Sequence, residues 1–239
     1  MSSVYRIRPC NDLTIDEIQN HYLWFSRRSG FNDPDDANIG AFLDNNEVLR
    51  EAFERKLTTE GIEFFRNKME CTGICCFTDK KPSSRMKNRF PGGKDCVCIE
   101  YDKDKIESFF QNKYALVNCF CEVLYFNSPI IFELDGKYHI LTKKDKEGFL
   151  YESVLGLTRT EKDKEKLIKI LLTRINSQYH FQNEQRIILG GRNIPSFDSN
   201  ISGYQVQIPK DAIVNIHKYK DTDEDFINKI TDTGIRRIV

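Results

Sequence analysis

The stretch "QYHFQNEQRIILGG", residues 178–191, begins polar and aromatic and ends in Ile187-Ile188-Leu189 followed by two glycines. A short apolar, β-branched run closed by glycine reads as a strand entering a core. Side chains two apart on a strand share a face, so Gln182, Glu184 and Arg186 are expected to line up together. A carboxylate carried towards a core is costly unless it is paired. One reading pairs Glu184 with Arg186, or with a neighbouring-strand lysine, at a sheet edge. The other turns amide and carboxylate towards a cleft. There a carboxylate can bond a ribose hydroxyl and stabilise the positive charge that grows on a sugar during glycosidic cleavage. An amide on the same face can orient the incoming nucleophile.

Outward from that run the chain reads as a mixture of strands and helices. "VYRIR" (4–8), "HYLWFS" (21–26), "GICCFTDK" (73–80), "CVCIEYD" (96–102), "ALVNCFCEVLYF" (115–126), "GYQVQIP" (203–209) and "AIVNIHKY" (212–219) have strand character. "IIFELDGKYHILTKK" reads as a hairpin turning at Asp135-Gly136. "TIDEIQN" carries a capping-box pattern from Thr14 to Glu17. Residues 44–69, "DKIESFFQNK" and 160–176 read as helices, the last capped at Thr160 with Leu167, Leu171 and Ile175 on one face. Strands and helices alternate irregularly, which favours α+β over a doubly wound sheet. No repeat or linker interrupts the chain, so residues 1–239 are expected to form a single domain.

Composition sets limits on function. With 17 Phe and 10 Tyr the chain is not of disordered type, and 36 basic against 36 acidic residues leave net charge silent about partners. "MSSVYRIRPC" has no apolar signal core, and no stretch reaches the roughly 18 apolar residues of a membrane span. The expectation is a cytoplasmic protein with no membrane partner. Of eight cysteines, Cys96/Cys98 and Cys119/Cys121 fall in strand-like segments, and no Cys-x2-Cys pair exists. They are expected as small apolar side chains on a buried face rather than as a zinc site.

The order of polar residues resembles the ADP-ribosyltransferase superfamily, in its class with an Arg on the first strand, an aromatic-Ser-type strand next, and Gln/Glu-x-Glu on a later strand. The matching residues are Tyr5-Arg6, then Phe25-Ser26 or Phe77-Thr78, then Gln182-Asn183-Glu184. A second resemblance, from residue 4 to about 189, is to the uncharacterised bacterial domain-of-unknown-function family 2971. It rests on Tyr5-Arg6-Ile7, "WFSRRSGFNDPDD", "ICCFTDK", "RMKNRFPGGKDCVCIEYD" and "QNEQR". Arg6 stands there for Lys, Thr78 for Ser, Lys87 for Trp and Gln182 for the first Glu. Together these resemblances imply a split β-sandwich with flanking helices and NAD held between two sheets as the substrate. Arg6, or Arg8, would hold the pyrophosphate, and an aromatic such as Phe25 would pack on nicotinamide. Ser26 or Thr78 would supply the hydroxyl, Glu184 would stabilise the oxocarbenium ion, and Gln182 would position the acceptor with Arg186 as orienting partner. The acceptor is open between nucleic acid, protein and water, the last giving an NAD glycohydrolase. A toxin or phage-defence effector would suit such chemistry.

Other segments carry their own expectations. Residues 80–94 hold Lys80, Lys81, Arg85, Lys87, Arg89 and Lys94 with no acid, and would meet a pyrophosphate or nucleic-acid backbone or form a solvated loop. Nearby Phe90 and Tyr101 are either base-stacking or core aromatics. "FNDPDD" reads as turn chemistry at Asn32, Asp33, Asp35 and Asp36, with Asn32 or Asp33 as candidate ribose or adenine contacts. Pro34-Asp35 with Asp79-x-Lys81 has the letters of a magnesium-dependent nuclease. A non-catalytic nucleotide- or nucleic-acid-binding module is the remaining class, with Glu184 as an ion-pair member.

Overall fold

The computed structural model describes residues 2–31, 36, 71–89, 95–126, 131–134, 137–145, 148–153, 160–190, 202–231 and 238–239. The expected helix at 44–69 lies outside them. The strands are β1 (Ser3–Pro9), β2 (Tyr22–Ser26), β3 (Gly73–Thr78), β4 (Cys96–Asp102), β5 (Phe120–Glu122), β6 (Leu124–Phe126), β7 (Ile131–Leu134), β8 (Lys137–Asp145), β9 (Gly148–Ser153), β10 (Arg174–Asn176), β11 (Glu184–Leu189), β12 (Gly203–Gln207) and β13 (Ile213–Lys218). The helices are α1 (Asp12–Gln19), α2 (Ser84–Arg89), α3 (Lys103–Tyr114), α4 (Glu161–Leu172) and α5 (Glu224–Thr231).

The main sheet is open and antiparallel, in the order β12-β2-β3-β1-β4-β13, with β11 paired to β3 and β5 to β11. The fold is therefore α+β, as the sequence implies. β3 is where this sheet divides. β11 runs along all of β3, from Glu184 opposite Thr78 to Leu189 opposite Gly73, and so occupies one whole edge. The other edge is shared: Ile74 pairs with Ser26 of β2, and Thr78 pairs with Tyr5 of β1. Two arms thus leave β3 at its two ends, β2-β12 and β1-β4-β13.

Alternation along the strands sorts the side chains onto two faces. One face collects Val4, Cys75, Phe77, Val97, Ile99, Tyr101, Ile187 and Leu189 against Ile18 of α1, Ile106 and Phe110 of α3, and Phe226, Ile227 and Ile230 of α5, as the main core. Burial of this apolar area, at about 25 cal/mol per Å², is the principal force closing the helices onto the sheet. At the outer arm β12 approaches β2 so closely that a Cβ on Gly203 would stand 2.5 Å from the Phe25 carbonyl and 2.6 Å from the Trp24 ring. Only glycine fits there.

Local chemistry moves several boundaries. α1 is capped by Asn11, whose side chain accepts the Thr14 N–H at 3.0 Å, so Thr14 is inside the helix rather than at its start. Glu17 is consequently free of capping and turns to the core. α3 starts at an Asp102 cap that accepts the N–H groups of Asp104 and Lys105, and ends with Ala115 at φ 54 and Leu116 N–H bonded to Phe110 C=O. The expected long strand 115–126 breaks at Val123, whose N–H bonds Glu184 C=O while Leu124 N–H bonds Thr173 C=O. Its halves then pair separately, β5 with β11 and β6 in parallel with β10. The helix expected to 176 stops at Leu172, because Arg174–Asn176 pair with Leu124–Phe126. β7, β8 and β9 form a separate antiparallel sheet with Leu134 opposite Lys137, as the hairpin reading requires.

Candidate active site

Register brings the sequence-selected residues together on the face opposite the core. Paired residues of antiparallel strands share a face. Tyr5 on β1 pairs with Thr78 on β3, and Thr78 pairs with Glu184 on β11. The three make one row across three neighbouring strands at the division of the sheet. Four residues back along β3 and on the same face, Ile74 pairs with Ser26 of the other arm. Thr78 and Ser26 thus belong to one face, with Thr78 buried and tied into the turn after its strand. Its hydroxyl donates to Lys80 C=O and accepts Lys80 N–H.

Glu184 and Arg186 do share that face, and Arg186 Nε donates to Glu184 Oε1 at 2.6 Å. Gln182 is not on the strand. It ends the 3-10 turn Ser177–Gln182, and Asn183 at φ 43 separates it from β11. The polar residues at 177–183 take a turn because the strand ladder with β3 begins only at Glu184. Tyr125 of β6 accepts the Glu184 N–H at 2.7 Å, fixing the first residue of the strand.

Arg186 is fully buried, and three further hydrogen bonds join the one to Glu184. Nη1 and Nη2 reach Asp36 Oδ1 and Oδ2 at 2.8 and 2.7 Å, and Nη1 also donates to Leu172 C=O at 2.7 Å. Phe31 lies against the guanidinium, 5.7 Å from ring centroid to Cζ. Burial works against the charge, but Glu184 and Asp36 outweigh it and hold the Arg186 pKa well above its ordinary value. The Cys76 thiol beside them is pushed up, first by burial and then by the Glu184 charge.

Two expected site residues lie elsewhere. Arg6 is next to Tyr5 and therefore points to the opposite, core face. There it pairs with the wholly buried Glu17 and lies 5.5 Å from the Phe77 ring centroid. Arg8 shares that face and meets Glu17 Oε2 at 2.8 Å. Alternation thus removes both arginines from the row, where a pyrophosphate would need them. Phe25 is likewise a core residue, packed on Phe110 at 5.8 Å between centroids. Tyr101 is in the core, edge-on to Phe77. Asn32, Asp33, Pro34, Asp35 and Phe90 lie outside the described residues.

In the basic segment, Lys80 and Lys81 are exposed, whereas Lys87 is bound to Asp221 and stands 4.7 Å from the Tyr219 ring centroid. Asp79 is exposed just past the end of β3, and among the described residues no group of His, Cys, Asp and Glu side chains is arranged to hold a metal ion. The eight cysteines, all among the described residues, form no disulfide. Burial pushes the Cys75, Cys98 and Cys119 thiols up to about 12, which fits small core side chains. No helix among the described residues is long and apolar enough to cross a membrane.

The row continues into a second polar group that the sequence reading passed over. Tyr5 pairs with Glu100 on β4, and Glu100 with Asn215 on β13. Glu100 accepts from Ser3 at 2.7 Å, Asn215 at 2.7 Å and His217 Nε2 at 2.8 Å. Burial works to raise the Glu100 pKa, but the hydrogen bonds from Asn215, Ser3 and His217 outweigh it and hold the carboxyl below its ordinary range. Glu100 is three strand spacings from Glu184, roughly 14 Å at about 4.8 Å each, so the two carboxylates do not share one chemical step. An open groove of about 760 Å³ lies along α3, lined by Asp104, Lys105, Phe109, Pro209 and Asp211 among others, and contains no residue of the row. No protein-family model, no curated protein and no solved structure matches the chain.

Proposed function

We propose that this protein transfers ADP-ribose from NAD to a macromolecule, with Glu184 as the catalytic carboxylate. The observation that carries the reading is the register: Tyr5, Thr78 and Glu184 stand side by side where the sheet divides, with Ser26 on the same face of the other arm. That dividing sheet supports the split β-sandwich architecture implied by the ADP-ribosyltransferase resemblance. Arg186, Glu184 and Asp36 together carry one excess negative charge, which suits a developing oxocarbenium ion. Glu184 would accept a hydroxyl of the nicotinamide ribose, Ser26 or Thr78 would contact the bound dinucleotide, and Gln182 would meet the acceptor at the entrance to β11. With Arg6 held by Glu17, the exposed Lys80 and Lys81 are the described cations that would meet phosphate. They favour a nucleic-acid acceptor over a neutral one, and water in that place would make the enzyme an NAD glycohydrolase.

A second reading has its own observation. Glu184 is only 10 % exposed and already ion-paired, as in a non-catalytic binding module where it would serve the fold. Incubation with NAD labelled in the adenylate half, with and without added nucleic acid, separates the two. Release of nicotinamide with label on the nucleic acid supports transfer. Release without label supports hydrolysis, and neither release nor NAD binding would overturn the enzymatic reading in favour of the module.

A further inference from the structure

The backbone of Glu184 is held by one short run of chain. Its C=O accepts the Val123 N–H at 3.1 Å, and its N–H goes to the Tyr125 hydroxyl at 2.7 Å. In a complete antiparallel ladder two such residues exchange both bonds, so the Glu184 N–H would go to the Val123 carbonyl. Here the ladder of β11 with β5 ends at Gln185 and Glu122, and β6 leaves to pair with β10. A phenol takes the place of the strand carbonyl. A carbonyl can only accept, whereas a phenol that accepts keeps its own hydrogen to donate. Among the described residues none accepts that hydrogen, and Tyr125 is half-buried. Burial pushes the Tyr125 pKa above its ordinary value, so the hydrogen stays in place at neutral pH.

An O–H donor and a carboxylate acceptor therefore stand within reach of one residue. The carboxylate already meets Arg186 Nε and the Cys76 thiol, but with about four lone-pair sites it can take a further donor. A ribose carries two neighbouring hydroxyls on one face of its ring. One can donate while the other accepts.

We infer that Tyr125 is a further substrate-binding residue of this site: its hydroxyl donates to one hydroxyl of the nicotinamide ribose while Glu184 accepts from the other, so that the pair recognises a cis-diol. This rests on the proposed role of Glu184. It also gives the small sheet β6–β10 a part in the site, because Tyr125 belongs to that sheet and not to the main one.

The test compares wild type and Tyr125→Phe on NAD and on two NAD analogues whose nicotinamide ribose lacks the 2′- or the 3′-hydroxyl. On NAD the variant is expected to lose about fivefold or more in kcat/KM per folded molecule, the scale of one hydrogen bond. On the analogue without the hydroxyl that Tyr125 serves, the two proteins are expected to be equal. A phenol that only caps β11 would lower kcat/KM by the same factor on all three substrates, and that result overturns the inference. So does equal turnover of NAD by both proteins. If the wild type turns over no NAD, the proposed reaction fails, and calorimetric binding of ADP-ribose decides the inference: binding weakened about fivefold or more in Tyr125→Phe supports it, and equal binding or none overturns it.

Discussion

Two buried arginine clusters sit on opposite faces of one sheet, and they are built with opposite stoichiometry. On the core face, Arg6 and Arg8 close around a single carboxylate, Glu17, and tie α1 to β1. On the other face, Arg186 is enclosed by two carboxylates, Glu184 and Asp36. The first cluster has no spare acceptor: deleting Glu17 leaves two guanidinium groups facing one another. The second has redundancy, since Arg186 keeps a two-point partner in Asp36 when Glu184 is changed. Identical chemistry therefore holds the fold together at one site and leaves a carboxylate available at the other.

The largest expected effect lies on the core face. Glu17→Ala should cost about 3–5 kcal/mol, the usual result of stranding a buried charge, read as a shift in the urea midpoint. A loss below about 1 kcal/mol would erase the contrast between the clusters. Next comes the polar row. Glu100→Gln should cost about 1.5–3 kcal/mol at neutral pH, because a charged acceptor for three side chains becomes a neutral one. Its pH dependence follows from the depressed pKa. The unfolded carboxyl titrates near 4.3, so the stabilisation is full above that value and is lost as pH falls through the lower folded value. Denaturant unfolding from pH 7 to 3 should therefore show a shallower acid decline in Glu100→Gln than in wild type, and parallel curves would contradict the assignment.

Glu184→Gln should cost only about 1 kcal/mol, one hydrogen bond's worth, because Asp36 continues to neutralise Arg186. A loss comparable to that of Glu17→Ala would make Glu184 a fold residue and favour the binding module. Smallest of all, Lys87→Met should change stability by about 0.5 kcal/mol or less, since its partner Asp221 is largely solvated. Thermal unfolding of that variant measures how little an ion pair contributes when one of its partners is solvated.

The sequence disclosed most of the strands because their period-two patterns are strong: 4–8, 22–26, 73–78, 96–102 and 184–189 all fall within strands. It disclosed Glu184, Thr78 and Ser26 as residues of interest through order along the chain. It misplaced Arg6 because alternation sends neighbours to opposite faces, and which of Tyr5 and Arg6 faces the core is settled only by pairing with β3 and β4. Thr14-Ile-Asp-Glu17 has capping-box spacing, yet Asn11 caps the helix, and the freed Glu17 serves Arg6 and Arg8 instead. Gln182 looked like a strand residue because Gln-x-Glu has strand spacing, whereas the left-handed Asn183 sets it off. Asp36 was hidden among turn-forming acids, and the Glu100–His217 bond joins residues 117 apart, so no local pattern signals either.

The central claim is that Glu184 does chemistry on NAD rather than only holding Arg186. Its most direct test is nicotinamide release from NAD by wild-type protein and by Glu184→Gln at matched folded fractions. The account predicts release by the wild type and a drop of about 100-fold or more in the variant, the scale for losing a group that stabilises transition-state charge, with the circular dichroism spectrum unchanged. Equal release by both proteins, or none by the wild type, would contradict it.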